Sequence, residues 1–553
     1  MSTPRRARSN RALVAALALI SLHGALAWIA REPGVLTGQD DAEYMLLAES
    51  LLDGGYNDRF RVDSPPHRTY PPVYPAALAA WGTFAGRGFD SLVALNVAVS
   101  AAALIVLFGV LRRLTSDALA LTTVALLAIN PGLIRLAGGI RSEPLFMLLT
   151  LVALAALLPA DAARAAMAGA AKAEPRTGRR REATWLAITI GAALLAALTR
   201  SVGVTVMAAI GLHWLLLQKR WTLVAVPAAV ATIAVAAWLA WTALGTDQFV
   251  GSSYMAELRV LWTGTEWTGP LPGRALRWSR LYLMHGLPTA LALPAIPGTP
   301  VDNVVQLAFF GAVGAVGLTV LLKRWRAAAL WVIVYAGFLA IWLFYVDRFV
   351  VPVAPLLVAA ILIGAHTTGR RVGQRAGVAL PAAAALILAV GATLMTASLL
   401  RERTGCDRAD RYPDPACMSE DQRSYFDALR WIDVNTPADA AFLTAKPGAL
   451  YIYTGRRSIA FDRSAREPEP TFIEFVRDAG AEWILLGSLH NQEPARLAGR
   501  MKANCERLRV AAEFPPRTWL FRIDEGDTDE AAACDAIDAY AAANAGSRFG
   551  ETR

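Results

Sequence analysis

Long apolar runs separated by short polar turns fill the first 400 residues. A helix needs about 20 consecutive apolar residues to cross a bilayer core of roughly 30 Å. Eleven runs approach or reach that length: Arg11–Ala30, Ser91–Leu111, Ala118–Gly138, Glu143–Ala160, Ala183–Thr199, Val202–Leu217, Trp221–Leu244, Asn303–Leu322, Ala327–Val346, Val350–His366 and Gly377–Leu400. Two further apolar stretches fit less well. Tyr70–Phe84 is short and rich in Pro, and Leu281–Pro297 carries His285, Pro288 and Pro294 behind Arg274, Arg277 and Arg280. Both read as interfacial or re-entrant segments, which are tolerated where protein covers the backbone. The first run has no small-x-small cleavage site and reads as a retained span.

The pattern changes near Arg401. Helical periodicity places Leu429, Trp431 and Ile432 on one face of Tyr425–Asn435, and Phe472–Ala479 and Ala531–Asn544 are further helix candidates. Ala440–Thr444, Trp483–Leu486, Val510–Phe514 and Trp519–Ile523 have strand composition. Residues 401–553 therefore form a soluble α/β domain behind a membrane domain of residues 1–400, whose longest loop spans 31–90. The fold class expected is a polytopic α-helical membrane protein of about 11 transmembrane helices with a C-terminal soluble α/β domain.

Composition agrees. The chain has 553 residues, 55% apolar and 18% charged, with a mean hydropathy of +0.39. This excludes a disordered chain, a collagen-like repeat and an ordinary soluble globule. The net charge is +9, and its distribution sets an orientation. Arg5/Arg6/Arg8, Arg112/Arg113, Arg176/Arg179/Arg180/Arg181, Lys219/Arg220, Lys323/Arg324/Arg326 and Arg370/Arg371/Arg375 fall on every second loop. By the positive-inside rule those loops and the N-terminus are cytoplasmic. The chain is then multi-pass in the cell (inner or plasma) membrane, with everything after Arg401 extracytoplasmic. No nucleic-acid partner is expected. All four cysteines, Cys406, Cys417, Cys505 and Cys534, lie in that last segment, where disulfides form. Proximity favours Cys406–Cys417 and Cys505–Cys534 among three connectivities; four separate thiols are the alternative.

The candidate chemistry starts in the first long loop. Asp40-Asp41-Ala42-Glu43-Tyr44 opens a short helix ended by Gly54-Gly55, with Tyr44, Leu47, Ala48, Leu51 and Leu52 on one apolar face. The helix should lie along the membrane surface, with Asp40 and Asp41 at the leaflet edge. Asp40-x-x-Glu43 also fits a capping box, which would explain one acid but not two. A carboxylate that takes a proton from an attacking hydroxyl explains the other. Tyr70-Pro71-Pro72-Val73-Tyr74-Pro75 is either a rigid turn or the wall of a substrate channel. Glu143 follows Arg141-Ser142 at the start of the fourth run, where Ser as N-cap and an acid in the first turn are also ordinary helix chemistry. No Lys lies on this side of the membrane region, so a phosphate there must be held by Arg. The candidates are Arg59, Arg61, Arg68, Arg141, Arg200 and Arg348. Arg200 and Arg348 could instead snorkel, and Arg348 could pair with Asp347. A divalent metal on Asp40, Asp41 and Glu143 is open, because oxygen-only ligands have no diagnostic spacing. No other cofactor motif is present.

In their order these motifs resemble the GT-C membrane glycosyltransferases, in the branch of protein O-mannosyltransferases and lipid A aminoarabinose transferases. Asp40-Asp41-Ala42-Glu43-Tyr44, Pro71-Pro72-Val73-Tyr74-Pro75, Glu143-Pro144-Leu145-Phe146, Thr199-Arg200 and Arg348 with Pro352 and Pro355 carry the resemblance over residues 11–400. Trp431-Ile432, Asn435-Thr436-Pro437 and Tyr453-Thr454-Gly455-Arg456 extend it loosely into the tail. The family usually has Glu where this chain has Asp41. The absence of Lys argues against an aminoarabinose donor. The resemblance implies transfer of a sugar from a polyprenyl-phosphate donor, in a single displacement with inversion, to a glycan, lipid or protein acceptor. It makes Asp40 the base, with Asp41 and Glu143 beside it, and Tyr44, Arg59, Arg68, Tyr70, Tyr74, Arg141, Arg200 and Arg348 around the substrate. The rivals are a transporter or lipid flippase, which predicts internal repeats that the sequence does not show, and a membrane-anchored receptor.

Overall fold

The computed structural model describes residues 3–36, 40–169, 175–218, 221–244, 254–264, 268–294, 300–406, 412–464, 468–487, 494–524 and 530–544. The helices of the first 403 residues are α1 (Thr3–Ile29), α2 (Asp40–Leu52), α3 (Val73–Ala85), α4 (Phe89–Leu114), α5 (Asp117–Ala128), α6 (Pro131–Ala137), α7 (Glu143–Gly169), α8 (Pro175–Ala197), α9 (Val204–Gln218), α10 (Trp221–Ala243), α11 (Tyr254–Arg259), α12 (Leu271–Leu281), α13 (Leu287–Leu291), α14 (Pro300–Arg324), α15 (Arg326–Ile341), α16 (Ala354–Val372) and α17 (Ala376–Arg403). Among the described residues seven helices are long and apolar enough to cross a membrane, and the bent pair α5–α6 makes an eighth. Three shorter apolar helices, Ser201–Leu215, Thr232–Ala243 and Arg326–Ile341, fall on the remaining runs. Each of the eleven runs is thus helical in a multi-pass membrane protein.

The third run is not one straight rod. It bends by 61° at Asn130-Pro131. Pro131 has no N–H to continue the ladder, and the Asn130 side chain caps the new helix by accepting from Leu133 N at 3.0 Å. The Asn130 amide also donates to Ala290 O at 3.0 Å, tying this bend to the Leu281–Pro297 stretch. That stretch holds a π-turn (Tyr282–Gly286) and α13, and Ala290, Leu291, Ala292 and Leu293 are all buried. Over residues 281–294 protein covers this irregular backbone, as a re-entrant segment requires, and the last three residues of the stretch lie outside the described residues.

The bundle is packed through small residues. A Cβ on Gly364 of α16 would fall 1.7 Å from Val313 O of α14, and one on Gly317 would meet Ala360 O at the same distance. Only Gly lets these two backbones approach so closely. At one end of the bundle Arg324 donates to Leu114 O at 2.6 Å, beside Arg112 and Arg113. At the other end Leu399 of α17 packs against Ala27 and Ala30 of α1. The first and last long helices therefore leave the bundle at the same end, and the 31–90 loop and the tail meet there.

The tail contains α18 (Glu420–Asn435), β1 (Ala441–Thr444), α19 (Pro447–Thr454), β2 (Arg457–Ser458), α20 (Phe461–Ser464), α21 (Phe472–Asp478), β3 (Trp483–Gly487), α22 (Pro494–Lys502), β4 (Leu508–Phe514), β5 (Thr518–Ile523) and α23 (Glu530–Asn544). The strand order is β2-β1-β3-β5-β4. β1 is parallel to β2 and β3, and β5 is antiparallel to β3 and β4. β3 is buried along its whole length, as befits a central strand with both faces covered. Ser419 and Gln422 close a full capping box on α18. Disulfides join Cys406 to Cys417 and Cys505 to Cys534.

The tail and the first loop interlock. Ser458 at the sheet edge donates to Phe60 O at 2.8 Å and accepts from Val62 N at 3.0 Å, so the loop extends the sheet at β2. Tyr453 of α19 accepts from Val35 N at 3.0 Å. A Cβ on Gly448 would lie 2.8 Å from the Ala42 Cβ of α2. The helix α2 is consequently not a rod floating on lipid. Tyr44 and Ala48 bury against α3 and α4 with Tyr74, Leu78, Leu92 and Val93, while Ala42 buries against the tail.

Candidate active site

Three parts of the chain, far apart in sequence, bring charged side chains to the N-terminal end of α2. Asp40 is the first residue of α2, and both its oxygens are engaged: Oδ1 accepts from the Tyr70 hydroxyl at 2.8 Å, and Oδ2 pairs with Arg348. Arg348 also reaches Glu143, Nε to Oε1 at 3.4 Å. Arg200 closes the group from the hairpin between α8 and α9, 2.8 Å from Glu143 Oε1 and 2.8 Å from Ser142 Oγ. Two carboxylates and two guanidiniums thus alternate in one chain of contacts. Glu143 is the most buried, at 2% exposed; Asp40 and Arg348 keep 19% and 28%.

Local sequence explains each placement. Arg348 lies in a 3₁₀ turn, Asp347–Val353, that Pro352 and Pro355 stop from starting as an α-helix earlier. The Tyr335 hydroxyl donates to Phe349 O at 2.6 Å and holds that turn, and the Phe349 ring lies 5.0 Å beneath the Arg200 guanidinium. Glu143 starts α7 after the turn Gly139–Ser142. That turn is pinned by the buried Asn96 amide, which donates to Gly139 O at 2.6 Å and Arg141 O at 2.9 Å.

The electrostatics favour ionised acids. Burial opposes ionisation of Asp40. It is outweighed by the charges of Arg348 and Arg141 and the Tyr70 hydrogen bond, which hold the carboxyl well below the usual carboxylate range. Burial and the neighbouring Asp40 push the Tyr70 phenol well above its ordinary value, so it stays a donor. Burial does the same for Tyr44, whose hydroxyl meets Ser142 Oγ at 3.1 Å.

The other sequence candidates sit elsewhere. Asp41 is fully buried on the tail side of α2, with Oδ1 at 2.9 Å from Ala42 N. Arg141 pairs with Glu32 at 3.0 Å rather than joining the Asp40–Glu143 chain directly. Arg59 pairs with Asp53, at the far end of a 13-residue helix and so roughly 20 Å from Asp40. Arg68 lies on the Trp241 ring at 4.7 Å and donates to that residue's carbonyl. Tyr74 is fully buried, with its hydroxyl on Asn96 and its ring edge-on to Tyr44, so it is core and no channel wall. Arg61 pairs with Asp63 at 3.4 Å. Among the described residues no group of three or more His, Cys, Asp or Glu converges as a metal site.

Sequence reading missed Glu32, Asn96, Ser142 and Tyr335 as parts of this site. Asn96 carried a usable signal, a buried polar side chain inside an apolar run.

No family profile matches the chain, and no curated protein matches it. Solved structures do. One is ArnT from Cupriavidus metallidurans bound to undecaprenyl phosphate, 13% identical, at a TM-score of 0.55 over 91% of this chain and 97% of that one. Another is the same protein in the apo state, 13% identical, at a TM-score of 0.57 over 93% and 98%. Over nine-tenths of its length, then, this chain shares the fold of those two structures.

Proposed function

We propose that the chain is an integral-membrane glycosyltransferase that moves a sugar from a polyprenyl-phosphate donor to an extracytoplasmic acceptor. The observation that carries this is the Asp40–Arg348–Glu143–Arg200 chain of contacts at one mouth of a bundle whose fold is shared with a protein solved with undecaprenyl phosphate. The basic loops on the opposite side support an extracytoplasmic orientation for that mouth.

The chemistry follows from the charges. The donor's lipid tail lies between spans, and its phosphate lies against Arg348 and Arg200, whose planar forks suit its oxygens. The bond from the anomeric carbon to the phosphate oxygen breaks, and polyprenyl phosphate leaves with the electron pair. The two guanidiniums take up that charge, so no general acid is needed. The acceptor hydroxyl forms the new bond from the opposite face, with inversion, and its proton passes to Asp40. A phosphate on Arg348 competes with Asp40 for the same guanidinium. Donor binding therefore makes Asp40 more basic just when a base is required. Glu143 orients both arginines.

The test is release of polyprenyl phosphate from a polyprenyl-monophosphate-linked hexose or pentose by the purified protein in lipid nanodiscs. The proposal expects release coupled to a new glycosidic bond. Movement of the intact lipid-linked sugar across the bilayer with no release would overturn it in favour of a flippase.

A further inference from the structure

We propose that His67, held by Asp58, is a positioning residue that fixes Tyr70 as the hydrogen-bond donor to Asp40. The proposal rests on the reading of Asp40 as the base.

His67 lies in the loop between α2 and α3 and is 2% exposed. Its Nδ1 is 2.6 Å from Asp58 Oδ1, and its Nε2 is 2.7 Å from Tyr70 N. The partners fix the tautomer. A carboxylate only accepts, so Nδ1 carries the proton; a backbone N–H only donates, so Nε2 presents a lone pair. The imidazole ring also stacks on the Tyr70 ring, with centroids 5.4 Å apart and planes 17° from parallel. The Tyr70 carbonyl is held too, by the Tyr56 hydroxyl at 2.7 Å. Both backbone polar groups of this loop residue are therefore fastened by side chains, and Pro71 restricts the backbone of Tyr70 itself. The His67 backbone is anchored in turn: its N–H donates to Tyr56 O at 2.7 Å, and its carbonyl accepts from Trp241 Nε1 of α10 at 3.0 Å.

This framework ends on a reacting atom. The Tyr70 phenol occupies Asp40 Oδ1. Once phosphate draws Arg348 away, Oδ2 is the oxygen left to face the acceptor, so Tyr70 decides which lone pair acts as base. A buried histidine that merely closes a turn would not reach the ionisation of Asp40. One that aims Tyr70 would. The groups acting on Asp40 are Arg348, Arg141 and Tyr70, and Asp40 in turn acts on Tyr44 and Glu143; those acting on Tyr70 are Asp40, Glu43 and Tyr44; those facing His67 are Asp58, Tyr56 and Tyr70.

The experiment compares His67→Asn, His67→Gln, Asp58→Ala and Tyr70→Phe in the full-length protein in nanodiscs, with Asp40→Asn as reference. Asn keeps a donor towards Asp58 but has no acceptor near Tyr70 N; the longer Gln puts an oxygen there. His67→Asn and Tyr70→Phe should each lower kcat roughly tenfold, the loss of one charge-assisted hydrogen bond, with the donor KM within about twofold. In both, the acid limb of the kcat/KM profile should begin at higher pH than in the wild type, because Asp40 loses a bond that favours its charge. The double variant should be no slower than Tyr70→Phe alone, and His67→Gln should recover most of the rate. An unshifted acid limb in a folded His67→Asn protein, or fully additive losses, would overturn the proposal. If His67→Asn does not fold, Asp58→Ala, which takes the acceptor away from Nδ1–H and so frees the ring to turn from Tyr70 N, is read by the same criteria. Activity in Asp40→Asn would instead remove the underlying base and leaves a different, distinguishable failure.

Discussion

Replacing Arg348 by Ala removes a guanidinium that touches both acids, Asp40 through Nη2 and Glu143 through Nε. Two consequences can be separated. The first is loss of charge stabilisation on the departing phosphate. Deleting one preorganised donor of this kind costs about 10²–10³ in kcat, near 3–4 kcal/mol. Arg200 remains 2.8 Å from Glu143 and keeps part of the site, which puts the expected loss towards the lower figure. The second concerns Asp40 itself. Its ionisation is held down in pKa by Arg348 first among the charges, so the variant's free-enzyme acid limb must move to higher pH. Arg348→Lys keeps the charge but not the fork, and one ammonium cannot serve both acids with Arg geometry. It should recover the pH limb better than the rate. The assay is release of polyprenyl phosphate in nanodiscs from pH 4 to 8. Rates for Arg348→Ala within about threefold of the wild type, or an unmoved acid limb, would refute the reasoning.

Three further outcomes follow from the packing. Glu143→Gln leaves Arg200 and Arg348 short of a buried counter-charge and should destabilise the protein by about 3–5 kcal/mol, read as a lower Tm. Gly448→Val must push α19 away from Ala42, so transfer should fall while the helical circular dichroism stays intact. Reducing Cys505–Cys534 should cost the tail about 2–5 kcal/mol and expose it to protease before the bundle. The Asp40 ion pairs contribute stability that is complete above the unfolded carboxyl value of about 3.9 and is lost only as pH falls below it, since the folded value is lower.

Much of the architecture was legible because bilayer spans and buried strands are local patterns. The strand runs at Ala440–Thr444 and Trp483–Leu486 became β1 and β3 within a residue, and the apolar runs became helices. The bend at Asn130 was visible only as Asn-Pro, since hydropathy does not change there. Long-range pairing was not legible. Arg141 reaches back 109 residues to Glu32, and Arg348 reaches 308 residues to Asp40, distances over which no periodicity acts. Glu143, Arg200 and Arg348 are legible because each stands at the edge of an apolar run, where charge is costly, and Asp40 because it doubles an acid that a helix cap alone does not need. Arg59 and Arg68 carry the same charge but stand in a polar loop, where Asp53 and Trp241 satisfy them. The docking of Phe60 and Val62 onto the sheet edge at Ser458 joins two parts that the sequence presents as separate.

The most direct measurement is sugar transfer by Asp40→Asn alongside its binding of polyprenyl phosphate. Asn fits the same volume and can still accept from Tyr70, but it carries no charge to receive a proton. The account predicts bound lipid phosphate, an intact bundle and no glycosidic bond formed. Transfer at the wild-type rate would contradict it.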